Sequence, residues 1–314
     1  MTAYILRRLV LMAPVAVLVT LIVFVLIRLT PGDPALSYLG EEATPQAVAA
    51  MHRQLGLDQP MPLQYLVFLG NLLHGNLGFS IKSHEPVLRA IFDRFPATAE
   101  LGLASLVFAL ALALPTGILS ALRQGSVAGV LAGTVPLIGV SLPNFFLGIL
   151  LILVFGLYGR LFPPGGFTAF FDDPGSNVRH LILPAISLGT ASAAINLRLM
   201  RSSLLETLAQ DYIRTARAKG LPARLVVVRH ALRNALIPVV TVIGIQVGLL
   251  LEGAFVTETI FAWPGIGRLA VDGIFQRDYP VVQGVVLFAA LLYMFASLLV
   301  DVSYVYLDRR IRYD

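Results

Sequence analysis

The 314-residue chain is 57% hydrophobic and only 13% charged, with a mean hydropathy of +0.81. A soluble domain carries roughly 25% charged residues, so that class is excluded. The net charge of +5 lies beside apolar segments and reflects topology, with no case for nucleic-acid binding; the absence of cysteine removes disulfides, thiolate metal sites and cysteine nucleophiles.

Apolar runs of about 20 residues recur along the chain, the length that crosses a hydrocarbon core about 30 Å thick. Lipid forces each run to satisfy its own backbone, so helices are expected. Six spans are read: about Leu9 to Leu29, Thr98 to Leu122, Leu131 to Leu157, Leu181 to Met200, Ala235 to Phe255 and Val281 to Val305. The first is too long for a secretory signal core, and Arg28-Leu29-Thr30-Pro31 is a poor cleavage site, so it is read as a retained helix.

Between spans one and two lies the largest exterior segment, from about Pro31 to Pro96. Thr44-Pro45 reads as an N-cap with proline in the first turn, leading into a helix over Gln46 to Leu55 that Gly56 stops. A second helix is expected from Leu63 to Leu73, ending near His74-Gly75-Asn76. A loosely ordered loop is the alternative.

The basic residues set the orientation. Arg7 and Arg8 precede span one, Arg123 follows span two, seven Arg and Lys lie between spans four and five, and Arg309, Arg310 and Arg312 close the chain. All four clusters fall on one side of a six-span arrangement, which places them and both termini in the cytoplasm.

The loop between spans four and five, Arg201 to Asn234, is the most organised polar stretch. Leu204, Leu208, Tyr212 and Ala216 recur every four residues, so a helix with one apolar or small face is expected. Gly220-Leu221-Pro222 breaks it, and Ala223 to Asn234 forms a second short helix. The outer surface would carry Arg214, Arg217, Lys219 and Arg224, with Ala216, Ala218 and Gly220 small enough for another protein's backbone to approach. A solvated positive-inside loop is the plainer reading; the glycine hinge, small residues and apolar stripe together favour a docking element.

Asp211 to Gly220, continuing through Arg229-His230-Ala231-Leu232-Arg233-Asn234-Ala235-Leu236-Ile237-Pro238, resembles the cytoplasmic coupling loop of permeases of binding-protein-dependent ABC importers, and within them the dipeptide/oligopeptide branch that includes nickel and glutathione permeases. Leu29 to Pro34, Leu55 to Pro60, Asn71 to Gly78, Phe261 to Gly267, Arg277 to Pro280 and Asp308 to Tyr313 resemble that branch in order along the whole chain. One departure stands out. The wider family's loop begins Glu-Ala-Ala, and here Arg214, Thr215 and Ala216 hold those places, a form common in the peptide branch.

The resemblance implies an all-α integral membrane protein with the type I ABC importer transmembrane fold. Its parts would be an N-terminal helix (1–30), an exterior helical segment (31–96), a five-helix core with the coupling loop 201–234 (97–305), and a cytoplasmic tail (306–314). It also implies a bacterial or archaeal inner membrane, a second, paralogous permease, two cytoplasmic ATPase subunits and an exterior solute-binding protein. The chain lacks a Gly-x-x-x-x-Gly-Lys-Ser/Thr sequence, so ATP and Mg would be held by the partner ATPases and no cofactor by this chain. Coupling would run through Asp211, Tyr212, Arg214, Thr215, Ala216, Arg217, Ala218, Lys219, Gly220 and Leu221.

Polar groups inside spans are costly and often functional, which makes Asn144, Asn196, Gln246 and Glu252 candidates for the translocation path, with packing as the competing role. Enzyme readings are weaker. Gly139-Val140-Ser141-Leu142-Pro143 lacks the last glycine of a nucleophile elbow, and His52, His74, His84, His180 and His230 show no metal-ligand spacing. An ion-coupled secondary transporter is the better rival, given six spans and Pro136, Pro143, Pro184 and Pro238 as helix breaks; the organised loop tells against it. Di- or oligopeptides are the expected cargo, with glutathione, a nickel chelate or an oligosaccharide behind.

Overall fold

The computed structural model describes residues 2–29, 33–39, 43–54, 56–138 and 141–307. Among them the secondary structure is helical, with a single isolated bridge between Phe79 and Pro86. The chain forms two compact units, Met1–Thr98 with Pro264–Met294, and Ala99–Trp263 with Phe295–Asp314.

The first unit begins with α1 (Thr2–Leu29), α2 (Pro34–Leu39), α3 (Pro45–Gln54) and α4 (Met61–Leu73). Thr20, Phe24 and Arg28 sit four residues apart and so share one stripe of α1. That stripe meets α4: Thr20 Oγ1 lies 2.9 Å from Tyr65 OH, the Phe24 and Tyr65 rings meet edge to face at 5.3 Å, and Arg28 Nε donates to Gln64 Oε1 at 2.8 Å. α3 and α4 begin and end as their caps dictate. Thr44 Oγ1 accepts from Ala47 N–H at 3.2 Å, and Gly56 (φ +64°) and Gly75 (φ +74°) take the left-handed turns after α3 and α4.

Asp33 and His52 tie the start of this segment to α3. His52 Nε2 lies 2.8 Å from both Asp33 carboxylate oxygens, and Ala35 N–H donates to Asp33 at 2.9 Å. Burial raises the Asp33 pKa, but the His52 hydrogen bond, the Ala35 N–H and the His52 charge outweigh it, so the carboxyl titrates below its ordinary value. A depressed carboxyl stabilises the fold above its unfolded pKa, and that contribution is lost as pH falls through the folded one. Stability of α3 is therefore expected to drop with acid below about pH 4. His52→Ala should start lower at neutral pH and show a flatter acid limb in amide exchange of α3; an unchanged limb would contradict the pairing.

α12 (Ile266–Gln276) and the first part of α13 (Tyr279–Leu307) complete the first unit. Asp278, 2% exposed, caps α13 and accepts from the Ser80 hydroxyl and from the N–H groups of Ile81 (3.1 Å) and Lys82 (3.3 Å). Those donors are what make a buried carboxylate tolerable.

α5 (Val87–Leu122) runs from the first unit into the second. There follow α6 (Val127–Ile138), α7 (Asn144–Leu151) continuing as π-helix over Ile152–Tyr158, and α8 (Pro174–Leu208). α9 (Asp211–Ala218) is short; α10 (Ala223–Leu225) passes through a π-helical turn, Val226–Ala231, into α11 (Leu232–Ile260). α7, α8 and α11 pack on one another. A Cβ on Gly189 of α8 would lie 2.5 Å from the Ser105 carbonyl and 2.9 Å from the Phe108 ring, so glycine is what lets α8 press on α5.

Among the described residues, four helices are by length and composition long and apolar enough to cross a membrane: Val87–Leu122, Pro174–Leu208, Ala223–Gln246 and Tyr279–Leu299; α1 adds the apolar stretch Val10–Leu26. The expected third span, Leu131 to Leu157, is not one helix. It is split into α6 and α7, because Pro143 stands extended (ψ 141°) before α7. Pro184 and Pro238, in contrast, lie inside α8 and α11 and do not end them. Spans two and four are longer than expected, at 36 and 35 residues.

Candidate functional site

The helix expected across Leu204 to Ala216 is broken. α8 stops at Leu208, Ala209 caps it, and Gln210 turns extended (ψ 149°) before α9 begins at Asp211. The four-residue register does not survive this break: Leu204 and Ala216 are buried, but Tyr212 is 42% exposed and Ile213 takes its place inside at 0%. Ile213 and Ala216, three residues apart on α9, enter a core of Met200 and Leu204 from α8, Val226 and Ala231 from the π-turn, and Ala235 and Val239 from α11, with Leu221 partly buried beside them. Ala216 is thus occupied within its own fold, whereas Ala218 and Gly220 remain exposed.

Tyr212 lies along the start of α11. Asn234 Nδ2 donates to its hydroxyl at 2.8 Å, and the hydroxyl donates to the His230 carbonyl at 3.4 Å. Asp211 opens α9 and pairs with Arg214 at 3.3 Å, both highly exposed, so the pair adds little stability. Thr215 Oγ1 donates to the Asp211 carbonyl at 3.0 Å.

At the far end, Gly220 (φ +76°) donates to the Arg217 carbonyl at 2.9 Å, and Leu221 N–H reaches the Ala216 carbonyl at 3.4 Å. The left-handed glycine thus turns the chain into Pro222. After Pro222 there is no second short helix. α10, the π-turn and α11 run on continuously from Ala223 to Ile260.

The product is a short helix fastened by Ile213, Ala216 and Leu221, with its other face open. Arg217 on α9, Lys219 at its C-terminal cap and Arg224 on α10 are all exposed and pair with no other described residue. Three unpaired cations beside a rigid turn suit a partner surface that supplies carboxylates or carbonyls. Sequence reasoning missed Ile213 and Asn234. The signal for Ile213 was present, since it is the one large aliphatic side chain of α9.

Two of the four intraspan polar candidates meet. Asn196 on α8 (0% exposed) donates through Nδ2 to Gln246 Oε1 on α11 (1% exposed) at 2.7 Å, and to the Ser192 carbonyl at 3.0 Å. Asn196 Oδ1 and Gln246 Nε2 are left buried with no partner. Asn144, half-buried at the start of α7, offers its carbonyl to Ser187 Oγ at 2.8 Å; its side-chain nitrogen lies 4.0 Å from where a Cβ on Gly253 would stand. The side chain of Glu252 lies outside the described residues. Gly253 is two turns along α11 from Gln246, about 10 Å at 1.5 Å per residue.

Residues 113–313 match the model of the binding-protein-dependent transport system inner membrane component family, and residues 1–102 match the N-terminal model of such a membrane component. The chain belongs to this family. Along its whole length it is 44% identical to the dipeptide transport system permease protein DppB of Escherichia coli and 48% identical to the di/tripeptide transport system permease protein DppB of Pseudomonas aeruginosa, each alignment covering 99% of the relative. It is 40% identical to the glutathione transport system permease protein GsiC of Escherichia coli, over 100% of both chains.

Among solved structures, a chain of the MetNI methionine ABC transporter in an inward-facing conformation superposes with a TM-score of 0.57 at 17% identity. That likeness covers 69% of this chain and 95% of the other. An amino acid ABC transporter with histidines gives 0.52 at 14%, over 71% and 94%. At these identities the likeness concerns the fold, which is the all-helical fold of ABC importer permeases. The chain is a permease subunit, an inner membrane component of an importer whose ATPase activity resides in separate subunits.

Proposed function

We propose that this chain pairs with a paralogous permease to form the path by which di- or oligopeptides, delivered by an exterior solute-binding protein, enter the cell. Two cytoplasmic ATPase subunits holding ATP and Mg dock on the Asp211 to Leu221 segment. The observation that carries this reading is the division of α9 into an inner face, Ile213 and Ala216, locked into the bundle, and an outer face with exposed cations. A push on the outer face passes through that lock to α8 and α11. An ion-coupled carrier has no need of such a part.

The side assignment supports the same reading. The basic clusters around Arg123 and the 201–234 loop share one side, so the loop and both termini are cytoplasmic and the 31–96 segment is exterior. On that placement Asn144, Asn196 and Gln246, with Glu252 near the outer end of its span, line the path. The peptide class rests on the relatives, since dipeptides, tripeptides and glutathione share an amino end, a carboxylate and a peptide unit.

Reconstitution tests this. Vesicles holding both permeases and the ATPases, with the binding protein outside, should accumulate labelled dipeptide only with ATP inside. Uptake that persists without the ATPases and follows an ion gradient would overturn the proposal in favour of the carrier.

A further inference from the structure

A cavity of about 680 Å³ in the second unit belongs to none of the groups above. Gly156, Arg160, Phe162, Asp173, Ser176 and Arg179 are among its lining. We propose that it binds the phosphate headgroup of an anionic phospholipid.

Its chemistry is that of an anion site. Arg160 makes no hydrogen bond or ion pair with another described residue, and its backbone is held left-handed at φ +50°. Such a conformation persists in a non-glycine residue only where the surroundings impose it. Arg179 is steadied by one bond, Nη2 to the Leu161 carbonyl at 3.3 Å, which leaves its other donors free. Against these two cations stands Asp173, whose Oδ1 already accepts from Ser176 N–H at 3.0 Å as the cap of α8. The cavity therefore keeps a net positive charge, and two guanidinium groups present paired donors that match phosphate oxygens.

The surroundings select the source of that phosphate. Next in the chain to Gly156 of the cavity lining, the π-helical end of α7 exposes Leu153, Val154 and Leu157, apolar surface on which an acyl chain can lie. Tyr158, two residues from both Gly156 and Arg160, is 85% exposed, and Phe171, two residues from Asp173, is 96% exposed. Exposed aromatic rings at the end of an apolar helix mark the depth of the lipid headgroups, and guanidinium groups at that depth meet phosphate oxygens in paired hydrogen bonds. A free phosphate ion would need the cations but has no use for the apolar strip or the rings.

This inference rests on the membrane placement argued above, but its readout is retained lipid and does not depend on transport. The assembled complex, purified in mild detergent, is exposed to phosphatidylglycerol or phosphatidylethanolamine and its bound lipid counted by native mass spectrometry. Wild type should retain phosphatidylglycerol in preference. R160Q/R179Q should lose that preference several-fold, and R160K/R179K, which keeps both charges without the paired donors, should fall between the two.

Equal retention by wild type and the glutamine pair would overturn the proposal. Displacement of the lipid by millimolar inorganic phosphate, with no preference between the two lipids, would assign the cavity to a free anion instead. Unchanged lipid with lost stimulation by the binding protein would assign it to that protein's acidic surface.

Discussion

Gly220→Val is expected to cut ATP-driven uptake by roughly five- to thirtyfold, the shift that matches the ~1–2 kcal/mol cost of an L-residue held left-handed. The cost comes from the backbone alone. A Cβ at Gly220 meets nothing within 4 Å, so no clash is created, while φ +76° excludes a β-branched side chain. The turn closes α9 through the bonds from Gly220 to Arg217 and from Leu221 to Ala216. Relaxing it would free Leu221 from the core and unseat the end of the proposed docking helix. The first unit shares none of these contacts, so assembly and binding-protein docking should persist, and ATP hydrolysis should continue without uptake.

Gly220→Asn separates strain from shape, because asparagine tolerates the left-handed region. It should transport nearly as wild type. Paired measurement of ATPase rate and peptide uptake in vesicles checks both variants. Normal, coupled uptake by Gly220→Val would mean that the turn does not carry the force.

Much of this was legible from residues alone, and the failures have particular causes. Runs such as Val281 to Val305 read directly as helices because hydropathy and length suffice to name a span. Pro143 is legible as a helix break, yet the span from Leu131 to Leu157 reads as unbroken, because hydropathy does not register a missing backbone donor and the flanking Leu142, Phe145 and Phe146 keep the window apolar. At the docking segment, Leu204, Leu208, Tyr212 and Ala216 form a faultless four-residue pattern, yet α8 ends between its second and third members. The pattern could not show this, because Ala209 and Gln210 are both acceptable helix formers. What ends α8 is the burial of Ile213, which seats α9 only if the chain turns first. Likewise, nothing in the sequence joins Asn196 to Gln246. Their partnership exists because α8 and α11 cross where both point inward.

That amide pair carries the second large effect expected. In the state described it is sealed from solvent and half-satisfied: one donor–acceptor bond is made, while Asn196 Oδ1 and Gln246 Nε2 stay unpaired. An unpaired buried polar group costs about 1–3 kcal/mol, and replacing both partners by apolar residues can be nearly neutral or stabilising. Gln246→Leu alone should therefore lower stability by roughly 0.6–1.7 kcal/mol, the range of interhelical hydrogen bonds in membranes. Asn196→Leu/Gln246→Leu should recover most of that loss in thermal unfolding of the purified subunit.

Transport should part company with stability. One free acceptor and one free donor are the complement of a peptide unit's N–H and C=O, and they reach a passing cargo only when α8 and α11 part. If the pair lines the path, the double variant folds well and still loses uptake by about tenfold, the worth of about 1.4 kcal/mol of lost cargo contact. If the pair only packs, uptake recovers together with stability, and the path must be sought among the other polar groups of the bundle.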